Sequence, residues 1–197
     1  MKFNCSVETA AERVEAIAGI FPILKEISDP DLMQKIANVY VRVLQDCKWD
    51  SVEDACFNPT FPQQKLVNHI RVTTYSAYAT AKYMNEFQQL DMDLDTVLFL
   101  GLMHDVCKFL EFEPDNNGGA RVSEIGENLQ HGVIGAYYAH QEGFSLYWLQ
   151  LIVSHTPQSN NRPCCKEGFM FGLVDLADAD QVAYSIDPHY PLFYDKI

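Results

Sequence analysis

The stretch "TVLFLGLMHDVCKF", residues 96–109, decides how this chain folds. Its first half, "TVLFLGLM", is apolar enough to be buried in any compact fold, yet too short to span a bilayer. Two adjacent ionisable side chains, His104 and Asp105, follow at once, and a lysine stands at Lys108. Charged or titratable groups are seldom fully buried without a partner or a metal ion. Chemistry is therefore expected at the end of this helix.

The flanks are helical as well. Leu66, Ile70, Ala77, Ala81 and Met84 recur at helical spacing and predict a helix over about 64–87, with His69 at the edge of its apolar face. In "SDPDLMQKIANVYVRVLQD", Asp29 is the expected N-cap and Pro30 the first helical residue. Ser6 is the expected cap of an earlier amphipathic helix ending near residue 20, and 47–62, with Pro59 and Pro62, reads as a loop. Beyond the quoted stretch, "EPDNNGGA" (113–120) is a strong loop signal. Helices are expected at about 125–141, at 145–155 between Ser145 as cap and Pro157 as stop, and at 168–185. No segment alternates with period two. The expectation is an all-α bundle of six or seven helices forming one domain over residues 1–197, with 64–185 as its functional core. Residues 1–60 show no chemistry; their helices either complete the bundle or form a homodimer contact.

The charge balance is acidic: 14 basic against 27 acidic residues give a net −13. Such a field discourages binding to duplex nucleic acid and to anionic membranes. Any anionic substrate must be drawn in locally, by metal ions or a few placed basic groups. The N-terminus has no apolar signal core, so a cytoplasmic protein without a membrane segment is expected. Six cysteines without a C-x-x-C pair read as reduced thiols.

Six metal-capable side chains are spread over these helices: His69, His104, Asp105, His131, His155 and one aspartate of "LVDLADAD" (173–180). A single histidine beside an apolar face is ordinarily a hydrogen-bonded core residue. Here four of the chain's six histidines lie in otherwise apolar helical contexts. The other two, His140 and His189, sit where a surface or loop role is enough. Imidazole nitrogens mixed with carboxylate oxygens suit divalent Mn, Fe, Co, Ni or Zn.

The order of these pieces resembles the HD superfamily of metal-dependent phosphohydrolases: "NHIRVTTYSAYAT" with His69, "LFLGLMHDVCKF" with His104 and Asp105, then "LVDLADADQV" with Asp178. The "LAD" setting favours Asp178 as the last ligand, with Asp175, one turn earlier, as the fallback. Members with two metals carry two further histidines in between, and His131 and His155 occupy those slots. The resemblance thus implies one or two divalent cations, held by His69, His104, Asp105, His131, His155 and Asp178. It implies hydrolysis of a small phosphorylated substrate, a nucleotide first of all, by metal-activated water. Asp105 and Lys108 are the expected catalytic pair. Lys108, four residues after His104, would steady the substrate phosphate, or else be a lysine satisfying a helix C-terminus. Arg162 is a second expected substrate contact. Arg121 and Lys166, in expected loops, either rim the mouth or are plain surface. Tyr137, Tyr138, Tyr147 and Trp148 either stack on a base or pack the core. An oxygen-activating di-iron enzyme and a non-catalytic nucleotide-binding regulatory domain are the rival readings.

Overall fold

The computed structural model describes residues 7–156, 159 and 161–192. It is an all-α bundle with one small hairpin. In chain order come α1 (Ala10–Ile20), a 3-10 turn (Pro22–Glu26), α2 (Pro30–Asp46), α3 (Leu66–Gln88), α4 (Leu94–Met103) and α5 (Lys108–Glu111). Then follow β1 (Phe112–Pro114), β2 (Ala120–Val122), α6 (Glu124–Asn128), α7 (His131–Gln141), α8 (Leu146–Ser154) and α9 (Lys166–Ile186). Apart from α5 and α6, which are one turn each, these helices match the expected six or seven.

The axis of the bundle is α4, buried at every position from Thr96 to Met103. A helix apolar all round belongs inside, and α3, α9, α8 and α2 pack about it. Gly101 lets α3 come close: a Cβ there would stand 2.6 Å from the Thr74 side chain. Asp93 caps α4 by accepting from the Asp95 N–H. Asp95 in turn accepts the N–H groups of Ser28 and Asp29 and the Ser28 hydroxyl, which ties the start of α2 to the start of α4. Residues from Ile17 to Phe171 share one hydrophobic cluster, so α1 and α2 complete the core.

Asp29 and Pro30 open α2 as expected. The cap of α1 is Thr9, in a capping box with Glu12; Ser6 lies outside the described residues. The expected loop at 113–120 is a hairpin, with Phe112 opposite Val122 and Pro114 opposite Ala120. Its turn forms because Asp115 accepts from the Asn117 and Gly119 N–H groups and Gly118 takes φ +82°. The single helix expected over 125–141 is broken at Leu129–Gln130, where the backbone is extended. Ser145 stands at the N-cap of α8 without a side-chain hydrogen bond, and Pro157 lies outside the described residues. α9 starts at Lys166, whose ammonium donates to the Leu90 and Asp91 carbonyls, so it is a helix-start residue and not a loop cation. Among the described residues, no helix is long and apolar enough to cross a membrane.

Candidate metal centre

Four helix ends and two helix faces converge on Asp105. His104 is the C-cap of α4, and Asp105 follows in the turn before α5. His155 is the C-cap of α8, and His131 is the first residue of α7. His69 comes from α3, and Asp175 and Asp178 from α9. His69, His104 and Asp105 are 2%, 1% and 1% exposed.

Two clusters share the Asp105 carboxylate. On the Oδ2 side, His69 Nε2 lies 3.3 Å and His104 Nε2 3.5 Å away, and the two ring nitrogens are 3.2 Å apart. Asp175 Oδ1 closes this side at 3.1 Å from His69 Nε2 and 3.7 Å from His104 Nε2. On the Oδ1 side, His131 Nε2 lies 3.2 Å and His155 Nε2 3.5 Å away, with 3.3 Å between them. Both groups, His69–His104–Asp105 and Asp105–His131–His155, could hold a metal ion.

The far side of each ring explains why the Nε2 atoms face inward. His69 Nδ1 meets Asp178 Oδ2 at 2.7 Å, and His131 Nδ1 meets Glu111 Oε2 at 2.9 Å. His104 Nδ1 turns back to the Gly101 carbonyl at 2.9 Å, and His155 Nδ1 to the Ile152 carbonyl at 2.6 Å. Those carbonyls belong to the last turns of α4 and α8, which lack intrahelical donors. Every one of these oxygens is an acceptor, so each Nδ1 carries a proton, and each Nε2, once it has given up its own, presents a lone pair inward. That is the tautomer of a metal-bound histidine, fixed from behind as metal ligands usually are. Asp105 Oδ2 is buried and accepts no hydrogen bond, although Lys108 Nζ stands 3.0 Å away. Converging lone pairs around an orphaned carboxylate oxygen fit a cation.

Electrostatics agree with that fit. Burial alone would lower His69, but its contacts with Asp105, Asp175 and Asp178 outweigh it and raise the imidazole to about 10. His104, where burial dominates, is pushed down to about 4. Burial opposes ionisation of Asp105, yet Lys108, His104, His131 and His155 together hold the carboxyl well below its ordinary range. Asp175 falls to about 2, chiefly because its bond to His69 overcomes burial. A site that retains a proton on His69 among ionised carboxylates is one that attracts positive charge.

Asp178, the expected last ligand, does not share the point where the Nε2 atoms meet; it stands on the back nitrogen of His69, and Asp175 takes the inner position. The two are three residues apart on one helix, so the "LAD" setting could not separate them. Lys108 opens α5, so it does not satisfy a helix C-terminus. Its ammonium contacts Asp105 and lies 3.5 Å above the centre of the Phe57 ring. Arg162 is exposed, and its carbonyl accepts from Gln150; it lies away from the cavity wall. Arg121 pairs with Glu113. Tyr138 bonds Asp46, and Trp148 packs on Phe99 and Phe144, so these aromatics serve packing.

A cavity of about 520 Å³ opens over the clusters, lined by Asp105, Lys108, Glu111, His131, His155 and Asp175 among others. Two contributors escaped the sequence reading. Glu111 accepts from both the backbone N–H and the ring of His131; its signal was an acidic residue one turn past Lys108. Phe57, tilted against His69 with ring centres 4.1 Å apart, comes with Asn58, Pro59 and Thr60 from the loop between α2 and α3, where no local pattern marks a cavity wall.

A family model described as HD domain matches residues 66–183, and the chain belongs to that family. No curated protein and no solved structure matched the chain.

Proposed function

We propose that this HD-domain chain is a metal-dependent phosphohydrolase acting on a small phosphorylated substrate, a nucleotide first of all. The observation that carries the reading is the junction at Asp105: two sets of imidazole lone pairs meet its two oxygens, and Lys108 adds an ammonium at the cavity floor. We assign His69, His104, Asp105 and Asp175 to one cation, and Asp105, His131 and His155 to a second. Asp178 and Glu111 orient rings from behind. The mixed nitrogen and oxygen donors suit Mn, Fe, Co, Ni or Zn. Such cations, when bound, supply a readily ionised water and positive charge opposite phosphoryl oxygens.

The protein's own groups do the rest. Lys108, held between Asp105 and Phe57, offers a charge-assisted donor to a phosphoryl oxygen. It also offsets negative charge that spreads over those oxygens as the bond to phosphorus changes. The four Nδ1 hydrogen bonds keep each ring in its ligand tautomer, so no histidine has to reorganise when substrate arrives. Arg162 has no part in this reading.

The test begins with metal content per chain, on protein purified without a metal-affinity tag. Phosphate release from a nucleotide panel is then compared with oxygen uptake. About two equivalents of metal, released phosphate and no oxygen uptake are expected. His104→Ala and Asp105→Ala should each lose metal and activity together. A chain that neither contains nor rebinds metal overturns the reading, and iron with oxygen uptake replaces it with an oxygenase.

A further inference from the structure

Resting on the hydrolase reading, we propose that the substrate is a phosphate monoester: a single phosphoryl group on a compact organic part with an uncharged, apolar face. A nucleoside triphosphate or other polyphosphate does not fit.

The cavity of about 520 Å³ falls in the range of small-molecule sites. Its floor is polar, and its remaining wall sets apolar side chains beside the neutral polar groups of Asn58, Thr60 and Thr156. Phe57, Pro59, Phe112, Val122 and Leu176 contribute apolar surface. Among the described residues, Lys108 is the one cationic side chain on this wall, against the floor carboxylates of Asp105, Glu111 and Asp175. Two divalent cations and one ammonium facing those three carboxylates would leave about two net positive charges, which matches the dianion of one phosphoryl group. Each further phosphate would add negative charge that no other cationic side chain among the described lining residues meets, inside a chain of net −13.

Position argues the same way. The Lys108 ammonium is 3.0 Å from Asp105 Oδ2 and 3.5 Å above the Phe57 ring centre, so the wall's positive charge is confined to the floor. Phe57 also meets the His69 ring at 4.1 Å. Apolar surface therefore begins directly beside the Lys108 ammonium, the group that would hold the phosphoryl oxygens. An uncharged group is favoured there, because removing a phosphate from water against phenylalanine and proline is costly.

In the reaction, a water oxygen bonds to phosphorus as the phosphorus–oxygen ester bond breaks. One water proton ends on the departing alcohol and the other on the released phosphate.

The experiment compares the 5′-mono-, di- and triphosphates of one nucleoside on the manganese-loaded full chain at low ionic strength. For the wild type, kcat/KM for the monophosphate should exceed that for the triphosphate about tenfold or more. Val122→Lys, at an exposed strand position on the cavity wall, should narrow the ratio by raising use of the triphosphate. A wild-type preference for the triphosphate overturns the proposal, as does a ratio that V122K leaves unmoved. If none of the three is hydrolysed, the hydrolase reading fails on its own. Equilibrium binding of the same compounds then decides the ligand class: tightest binding of the monophosphate upholds it, and tightest binding of the triphosphate overturns it.

Discussion

Asp105 has two oxygens and each faces a different pair of histidines, so no single-oxygen side chain can replace it. The residues behind the rings are expected to matter less than those in front, and unequally. Asp175→Asn should remove the cation on the Oδ2 side, whereas Asp178→Asn, which perturbs only the back of His69, should weaken it about 10–100-fold. Titration of the two variants with manganese, followed calorimetrically, separates them. Glu111→Ala should leave one strong equivalent of metal per chain and lose the other. Glu111→Gln, whose amide oxygen still accepts from His131 Nδ1, should restore much of it. At this scale the sequence was informative wherever a titratable side chain lay in an otherwise apolar helix, as at His69, His104 and His155, which the fold gathers around Asp105. It could not separate Asp175 from Asp178, because that choice depends on where α3 lies against α9.

The hairpin and α6 act as the buttress of Glu111, the last residue of α5. The Glu111 carbonyl accepts from the Ser123 N–H at 2.9 Å, and a Cβ added to Gly126 would stand 2.3 Å from that oxygen. Gly126→Ala must push the end of α5 away; a loss of about 1–3 kcal/mol in denaturant unfolding is expected, together with weaker retention of the second metal equivalent. Glu113 in β1 bonds Lys48 at 2.6 Å and also pairs with Arg121. The Lys48 bond is the main cause that holds its carboxyl below the ordinary 4.5, with Arg121 adding to it against burial. A depressed carboxyl stabilises the fold above its unfolded value and ceases to do so as pH falls through the lower folded value. Glu113→Gln should therefore cost about 1 kcal/mol at neutral pH, with the difference from wild type vanishing below pH 4.5 on an acid titration. The hairpin strands are three residues each, too short for period two to register. The break before His131 is likewise hidden in the sequence, since the carboxylate that receives the new helix start lies twenty residues earlier.

For the molecule as a whole, the apolar run 96–103 foretold the architecture, because a helix with no polar side can only be central. What could not be read was the closure of the cavity by Phe57 and its neighbours, which depends on the path of a loop between α2 and α3. A folded state that gathers carboxylates and lone pairs at one point should gain stability from any cation it binds. Free metal at a hundredfold above its Kd adds about 2.7 kcal/mol per site. For a chain of this length that is an upward shift of about 5–10 °C in Tm, abolished by chelator and absent in Asp105→Ala. The contact between His69 and Asp178 joins residues 109 positions apart. Emerging from the ribosome, the chain presents His69 and then Asp105 long before α9 exists to bring Asp175 and Asp178 to them. The full set of donors thus exists only after α9 has been made, and uptake of an ion on that side would report that synthesis has passed Asp178.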